Sequence, residues 1–140
     1  MADRSTPSAP VRTRGLTHIA LAVRDLDVSA AFYRQLLGAI EVYRGETFVQ
    51  LQTPGTWDVI VLEAREQAGQ AGGVLHFGFR LMTPTDLPAA IAAVEAAGGT
   101  IVDHGEFVPG EPYLFATDPD GYTIELWYEL PTPVDPPLSK

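Results

Sequence analysis

The sequence predicts an α+β fold of two tandem βαβββ units, their strands forming a curved mixed-sheet cup with the helices outside. Three observations carry this expectation. An internal repeat sets GLTHIAL, from Gly15, in register with GVLHFGF, from Gly73, so that His18 superposes on His76. Each copy runs into an Asp-Leu pair (Asp25-Leu26, Asp86-Leu87) that opens an Ala-rich stretch of helical period. Three short runs of strand character then follow in each half.

The elements follow in order. In the first strand Thr17, Ile19, Leu21 and Val23 alternate with His18, Ala20 and Ala22, so the first set packs under a helix and the second faces away from it. The helix covers Val28 to Leu37, with Asp25 as N-cap and Gly38 as its left-handed stop. Strands are expected at Ile40–Tyr43, Phe48–Gln52 and Trp57–Glu63. In the second copy Leu75, Phe77, Phe79 and Leu81 take the helix side, while His76, Gly78 and Arg80 take the other; small Ala20 and Gly78 leave room beside each histidine. A helix over Pro88–Ala97, capped by Thr85 or Asp86 and stopped by Gly98, leads to strands at Thr100–Phe107, Tyr113–Thr117 and Thr123–Tyr128. Asp118-Pro119-Asp120-Gly121 is a tight turn by composition. On the last strand Glu125 shares a face with Trp127.

These units, about 16–63 and 74–128, make one domain over 16–130. Residues 1–15, rich in Ser, Thr, Pro and Arg, and the Pro-rich 131–140 read as unpacked tails. The chain has 18 acidic and 9 basic side chains, for a net charge of -9, and its only lysine is Lys140. With no basic stripe, nucleic acid is not an expected partner. The absence of cysteine removes thiolate metal sites and cysteine nucleophiles, so a metal must sit on imidazole and carboxylate. No apolar run approaches the roughly 18 residues of a membrane span, and residues 1–15 lack the apolar core of a signal peptide. A soluble, cytoplasmic protein without a membrane partner is the expectation.

Two histidines at equivalent repeat positions and one glutamate, all on the face away from the helices, form a divalent-metal pattern. His18, His76 and Glu125 suit Fe2+, Mn2+, Ni2+ or Zn2+ and leave coordination positions open for a substrate. A lone strand histidine is ordinarily a surface or satisfied residue; its registration in a repeat is what raises it to a ligand. By the same alternation Phe48, Gln50, Trp57, Tyr113, Phe115 and Trp127 surround the ligands as an aromatic small-molecule pocket. Arg80 is placed to pair a substrate carboxylate, Gln50 to orient substrate oxygens, and Tyr113 to present a catalytic hydroxyl beside Glu125.

With GLTHIALAVRDLDVSAAFYRQLLG opening and FATDPDGYTIELW closing the domain, the chain resembles the vicinal oxygen chelate superfamily: glyoxalase I, extradiol dioxygenases, methylmalonyl-CoA epimerase, fosfomycin thiol transferases and metal-free bleomycin-resistance proteins. The resemblance covers about residues 16–128. It implies metal ligands at His18, His76 and Glu125, and a metalloenzyme of glyoxalase or dioxygenase type that chelates neighbouring oxygens of a small organic substrate by lyase, isomerase or dioxygenase chemistry. The alternative it implies is a metal-free binding protein.

The sequence departs from three members of that family. Aligning VIVL with TIEL puts Val61 where glyoxalase I has a fourth, glutamate ligand, with Glu63 available only to a slipped register. Phe115 stands where the extradiol motif has its tyrosine, and Ala20 where the fosfomycin enzymes have a threonine. The resemblance also implies a homodimer. In its shared form, His18 of one chain joins His76 and Glu125 of the other.

Overall fold

The computed structural model describes residues 10–137. The first unit comprises β1 (His18–Val23), α1 (Leu26–Leu37), β2 (Ile40–Arg44), β3 (Phe48–Gln52) and β4 (Val59–Ala64). The second comprises β5 (Phe77–Arg80), α2 (Leu87–Ala96), β6 (Thr100–Glu106), β7 (Pro112–Thr117) and β8 (Thr123–Trp127), with a 3-10 turn at Pro84–Asp86 before α2. Asp25 caps α1 by accepting from the backbone N–H groups of Asp27 and Val28 at 2.9 and 3.0 Å, and Gly38 ends it at φ 67°. The start of α2 differs from expectation. The Asp86 carboxylate reaches back to the Thr83 N–H at 3.3 Å and closes the 3-10 turn, so it does not cap the α-helix.

Each unit folds into its own four-stranded mixed sheet, ordered β1-β4-β3-β2 and β5-β8-β7-β6. The crossover through the helix makes β1 parallel to β4 and β5 parallel to β8, and hairpins make the remaining pairs antiparallel. The two sheets are not continuous within one chain. β1 and β5 are both open edges.

What joins the units is a common core on the helix side. Val23, Phe32, Tyr33, Val49, Leu51, Ile60 and Leu62 of the first unit lie in one cluster with Val94, Leu114, Ala116, Ile124 and Leu126 of the second. Alternation therefore delivers the expected facing along β3, β4, β7 and β8, leaving every other residue on the open faces. Leu75 is an exception: it precedes β5, escapes the alternation and is 84% exposed.

A buried polar clamp fastens the second unit's turn to the first unit's helix. Tyr33 Oη donates to Asp118 Oδ2 at 2.6 Å, and Ser29 Oγ donates to Asp120 Oδ2 at 2.9 Å. Arg24 pairs with Asp120 at 3.1 Å, while Tyr122 Oη donates to the Ala22 carbonyl at 2.8 Å. The turn itself is as expected, with Gly121 at φ 94° and its N–H donating to the Asp118 carbonyl.

The described parts of both ends make contacts with the domain. Arg14 lies 3.7 Å above the Trp57 ring, and residues 130–137 are tied to Arg80 and Glu111 through hydrogen bonds described below. Residues 1–9 and 138–140 lie outside the described residues.

Candidate metal centre

Parallel pairing of β5 with β8 sets Gly78 opposite Glu125, and antiparallel pairing of β7 with β8 sets Phe115 on its other side. His76, immediately ahead of β5, thus comes level with Glu125: its Nε2 lies 3.3 Å from Glu125 Oε1. The Phe115 ring stands edge-on to the imidazole at 5.0 Å between centroids and fixes its orientation. Burial pushes the Glu125 carboxyl above its ordinary value, opposed by the attraction of His76. One nitrogen and one oxygen donor therefore converge in an open cavity of about 540 Å³. Phe107, Phe115 and Trp127 form its apolar wall, and Glu111 and Glu129 its polar margin.

His18 does not reach this pair within one chain. It is exposed on β1, and among the described residues no three of His, Cys, Asp and Glu gather in a way that could hold a metal ion. The register nevertheless confirms the repeat on which the ligand set was read. Ala20 pairs with Val61 in the first unit as Gly78 pairs with Glu125 in the second. Val61 thus occupies the position equivalent to Glu125, and Glu63 falls two residues on, opposite Ala22, where it is paired with Arg65 at 2.9 Å.

The remaining expected site residues divide between the two units. Gln50 lies beside Val61 on the open face of β3, and Phe48, beside Glu63, stacks on Tyr43 at 5.2 Å. Trp57 lies outside the strand, in the connection before β4, and is 61% exposed beneath Arg14. In the second unit Tyr113 donates its hydroxyl to Asp103 Oδ2 at 3.0 Å, which holds the phenol above its ordinary value. Tyr113 is therefore protonated and already committed as a donor, and its ring stacks on Phe107 at 4.0 Å. Arg80 is forked onto Asp135.

Gly78 has a different reason from the one expected. A Cβ there would stand 2.9 Å from the Glu125 carbonyl and 3.1 Å from the Trp127 ring, so the glycine admits Trp127 and not a ligand. Phe107, Glu111 and Glu129 were not among the expected site residues. They come from the β6–β7 connection and the end of β8, where neither alternation nor the repeat assigns a facing.

The family model for the Glyoxalase/Bleomycin resistance protein/Dioxygenase superfamily matches residues 15–126, from the first repeat motif to the strand that carries Glu125. The chain belongs to this superfamily. Among superfamily proteins, a manganese-dependent 2,3-dihydroxybiphenyl 1,2-dioxygenase of Geobacillus genomosp. 3 is 27% identical over 125 residues, covering 88% of this chain and 39% of the dioxygenase. The chain spans about two fifths of the length of the curated dioxygenases it matches. An ethylmalonyl-CoA/methylmalonyl-CoA epimerase of Cereibacter sphaeroides is 30% identical over 130 residues, covering 79% of this chain and 95% of the epimerase. The fosfomycin resistance protein FosX of Listeria monocytogenes shares the fold with a TM-score of 0.72 at 22% identity, covering 85% of this chain and 96% of that one. No helix among the described residues is long and apolar enough to cross a membrane.

Proposed function

We propose that the protein is a metal-dependent enzyme of this superfamily, with a divalent cation held by His76 and Glu125 of one chain and His18 of a second copy. The convergence of His76 Nε2 and Glu125 Oε1 at 3.3 Å on an open, aromatic-walled face carries this reading. Imidazole and carboxylate are the ordinary donors for Mn2+, Fe2+, Ni2+ and Zn2+, so the residues present fit the group. When bound, such a cation supplies Lewis-acid stabilisation to charge developing on two neighbouring oxygens of a small organic substrate.

The chain's own residues do the rest. Phe107, Phe115 and Trp127 bind a flat apolar body and exclude water from its faces. Phe115 keeps the His76 ring turned toward Glu125. Gln50, beside Val61, offers a hydrogen-bonding group on the open face of the first unit, whereas the Tyr113 hydroxyl, donating to Asp103, keeps only its oxygen lone pairs for a ligand. The manganese-dependent dioxygenase among the relatives supports the metalloenzyme class, and the epimerase beside it keeps both oxygenase and isomerase chemistry within the reading.

The open edges support a second copy. β1 and β5 carry unpaired backbone groups, and beside them Leu16, Val74 and Leu75 are 99%, 59% and 84% exposed. A hollow of about 320 Å³ lies between these edges, lined by Ile19, Leu21, Val74, Leu75 and Phe77. An isologous partner covers such edges and brings its β1 histidine to the other chain's pair.

The test is metal titration of the metal-free full chain by calorimetry, under anaerobic conditions for Fe2+. One cation should bind per chain, and His76→Ala and Glu125→Ala should each weaken binding by about 100-fold or more with circular dichroism unchanged. Full affinity in Glu125→Ala would overturn this ligand set, and no cation binding by the wild-type chain would overturn the proposal in favour of a metal-free binding protein. In the same assay Val61→Glu, at the position equivalent to Glu125, should supply a further carboxylate and tighten Mn2+ binding by about tenfold. Unchanged affinity would mean that Val61 does not face the shared site.

A further inference from the structure

Arg80 stands on the open face of β5, two residues beyond Gly78 and across the ladder from Trp127. Its guanidinium is occupied by the chain's own C-terminal segment. Nη1 donates to Asp135 Oδ1 and Nη2 to Asp135 Oδ2, both at 3.1 Å, the fork that arginine makes on a planar carboxylate. The segment is shaped to present that carboxylate: the Thr132 N–H donates to Asp135 Oδ2 and Thr132 Oγ1 to Oδ1, each at 2.9 Å. Its root is held by the Leu130 N–H donating to Glu111 Oε2 at 2.9 Å.

Polar contacts alone hold the segment down. Val134 is 72% exposed and Leu130 is 46% exposed, so among the described residues no hydrophobic anchor accompanies the ion pair. Pro131, Pro133, Pro136 and Pro137 stiffen the segment and limit the conformations it gains on release. Arg80 and Thr132 lower the Asp135 carboxyl to about 2. With this depressed value Asp135 stays ionised and able to pair with Arg80 until the pH falls toward 2, so protonation does not release the segment near neutrality.

We propose that Arg80 is a carboxylate-binding subsite of the cup, filled by Asp135 as a tethered competitor, and that a ligand carrying a carboxylate enters by displacing residues 130–137. This deepens the functional reading in one respect only, resting on its assignment of ligand to the open face of the second unit. A tethered carboxylate presents itself at roughly millimolar effective concentration. Small bare anions therefore lose to it, and a ligand wins only with further contacts. Arg80 lies four strand residues beyond His76, roughly 13 Å along the sheet, with the Trp127 ring over Gly78 between them. The ligand class is an elongated monocarboxylate with an apolar middle that lies on Trp127.

Calorimetric titration of metal-free, full-length protein with 4-phenylbutyrate, and with the uncharged 4-phenylbutyramide, tests this without involving the metal centre. Asp135→Ala should bind the acid about tenfold or more tighter than the wild type, with the amide unchanged. Asp135→Asn, which keeps the side chain's size, should follow in the same direction. Adding Arg80→Gln to either variant should abolish the gain. The proposal is overturned if the acid binds no variant, if acid and amide gain equally, or if the gain survives without Arg80. Because no cation is present, a failed metal centre leaves these outcomes untouched.

Discussion

Mixed dimers assembled from His18→Ala chains and Glu125→Ala chains should recover Mn2+ binding that neither variant has alone. Each parent dimer lacks one ligand type at both of its sites. In a mixed dimer, one site combines the intact His18 of the Glu125→Ala chain with the intact His76 and Glu125 of the His18→Ala chain. The other site collects both defects. One high-affinity cation per mixed dimer is therefore expected, half the wild-type stoichiometry, measured by metal analysis after the heterodimer is separated on two different affinity tags. The expectation rests on a specific distance relation: His76 and Glu125 converge within the chain, and His18 does not join them. If separated mixed dimers bind no cation, the histidine does not cross between chains and the shared site is wrong.

The largest effect on stability is expected at Asp118. Its carboxylate, 4% exposed, accepts from Tyr33 Oη at 2.6 Å and from the N–H groups of Asp120 and Tyr122 at 3.0 Å. Asp118→Ala strands three donors, one of them on a fully buried tyrosine, and should cost about 3 kcal/mol in urea or thermal unfolding. A loss below about 1 kcal/mol would mean that water replaces the carboxylate. Asp118→Asn retains the acceptor for the two amides and should be far milder.

The pH dependence of that clamp has a definite sign. Desolvation raises the Asp118 carboxyl, while the hydrogen bonds from Tyr33 and the amides pull it back. The folded state thus holds the proton to higher pH than the unfolded chain does. Its contribution to stability is greatest in acid and declines as the pH rises through the window between the ordinary and the raised value. Asp118→Asn should erase this slope.

The residues that alternation and the repeat govern were legible in the sequence: β3 and its buried Val49 and Leu51, the cap at Asp25, and the equivalence of Val61 and Glu125 all follow from local periodicity. What was not legible depends on where separate segments meet. Composition reads Asp118-Pro119-Asp120-Gly121 as a turn and has no means of showing that its two carboxylates are buried against α1. Arg80 reads as the partner of a carboxylate, but which one is not legible because Asp135 lies 55 positions away in a segment whose proline content reads as a tail. Trp57 and Leu75 both lie just ahead of a strand, where the period-2 rule no longer governs facing.

The clamp also sets the order in which the molecule can be completed. Its hydrogen bonds span 85 to 100 positions, joining the first unit to a turn near the end of the domain. During synthesis the first unit is made in full while Tyr33, Ser29 and the Ala22 carbonyl still lack their partners, and its helix side lacks Leu114, Ala116, Ile124 and Leu126. The repeat is thus two units in sequence and a single unit in folding. A chain synthesised only as far as the start of β7 displays an N-terminal half whose apolar face is open to chaperones and proteases, and β7 and β8 supply the residues that cover it.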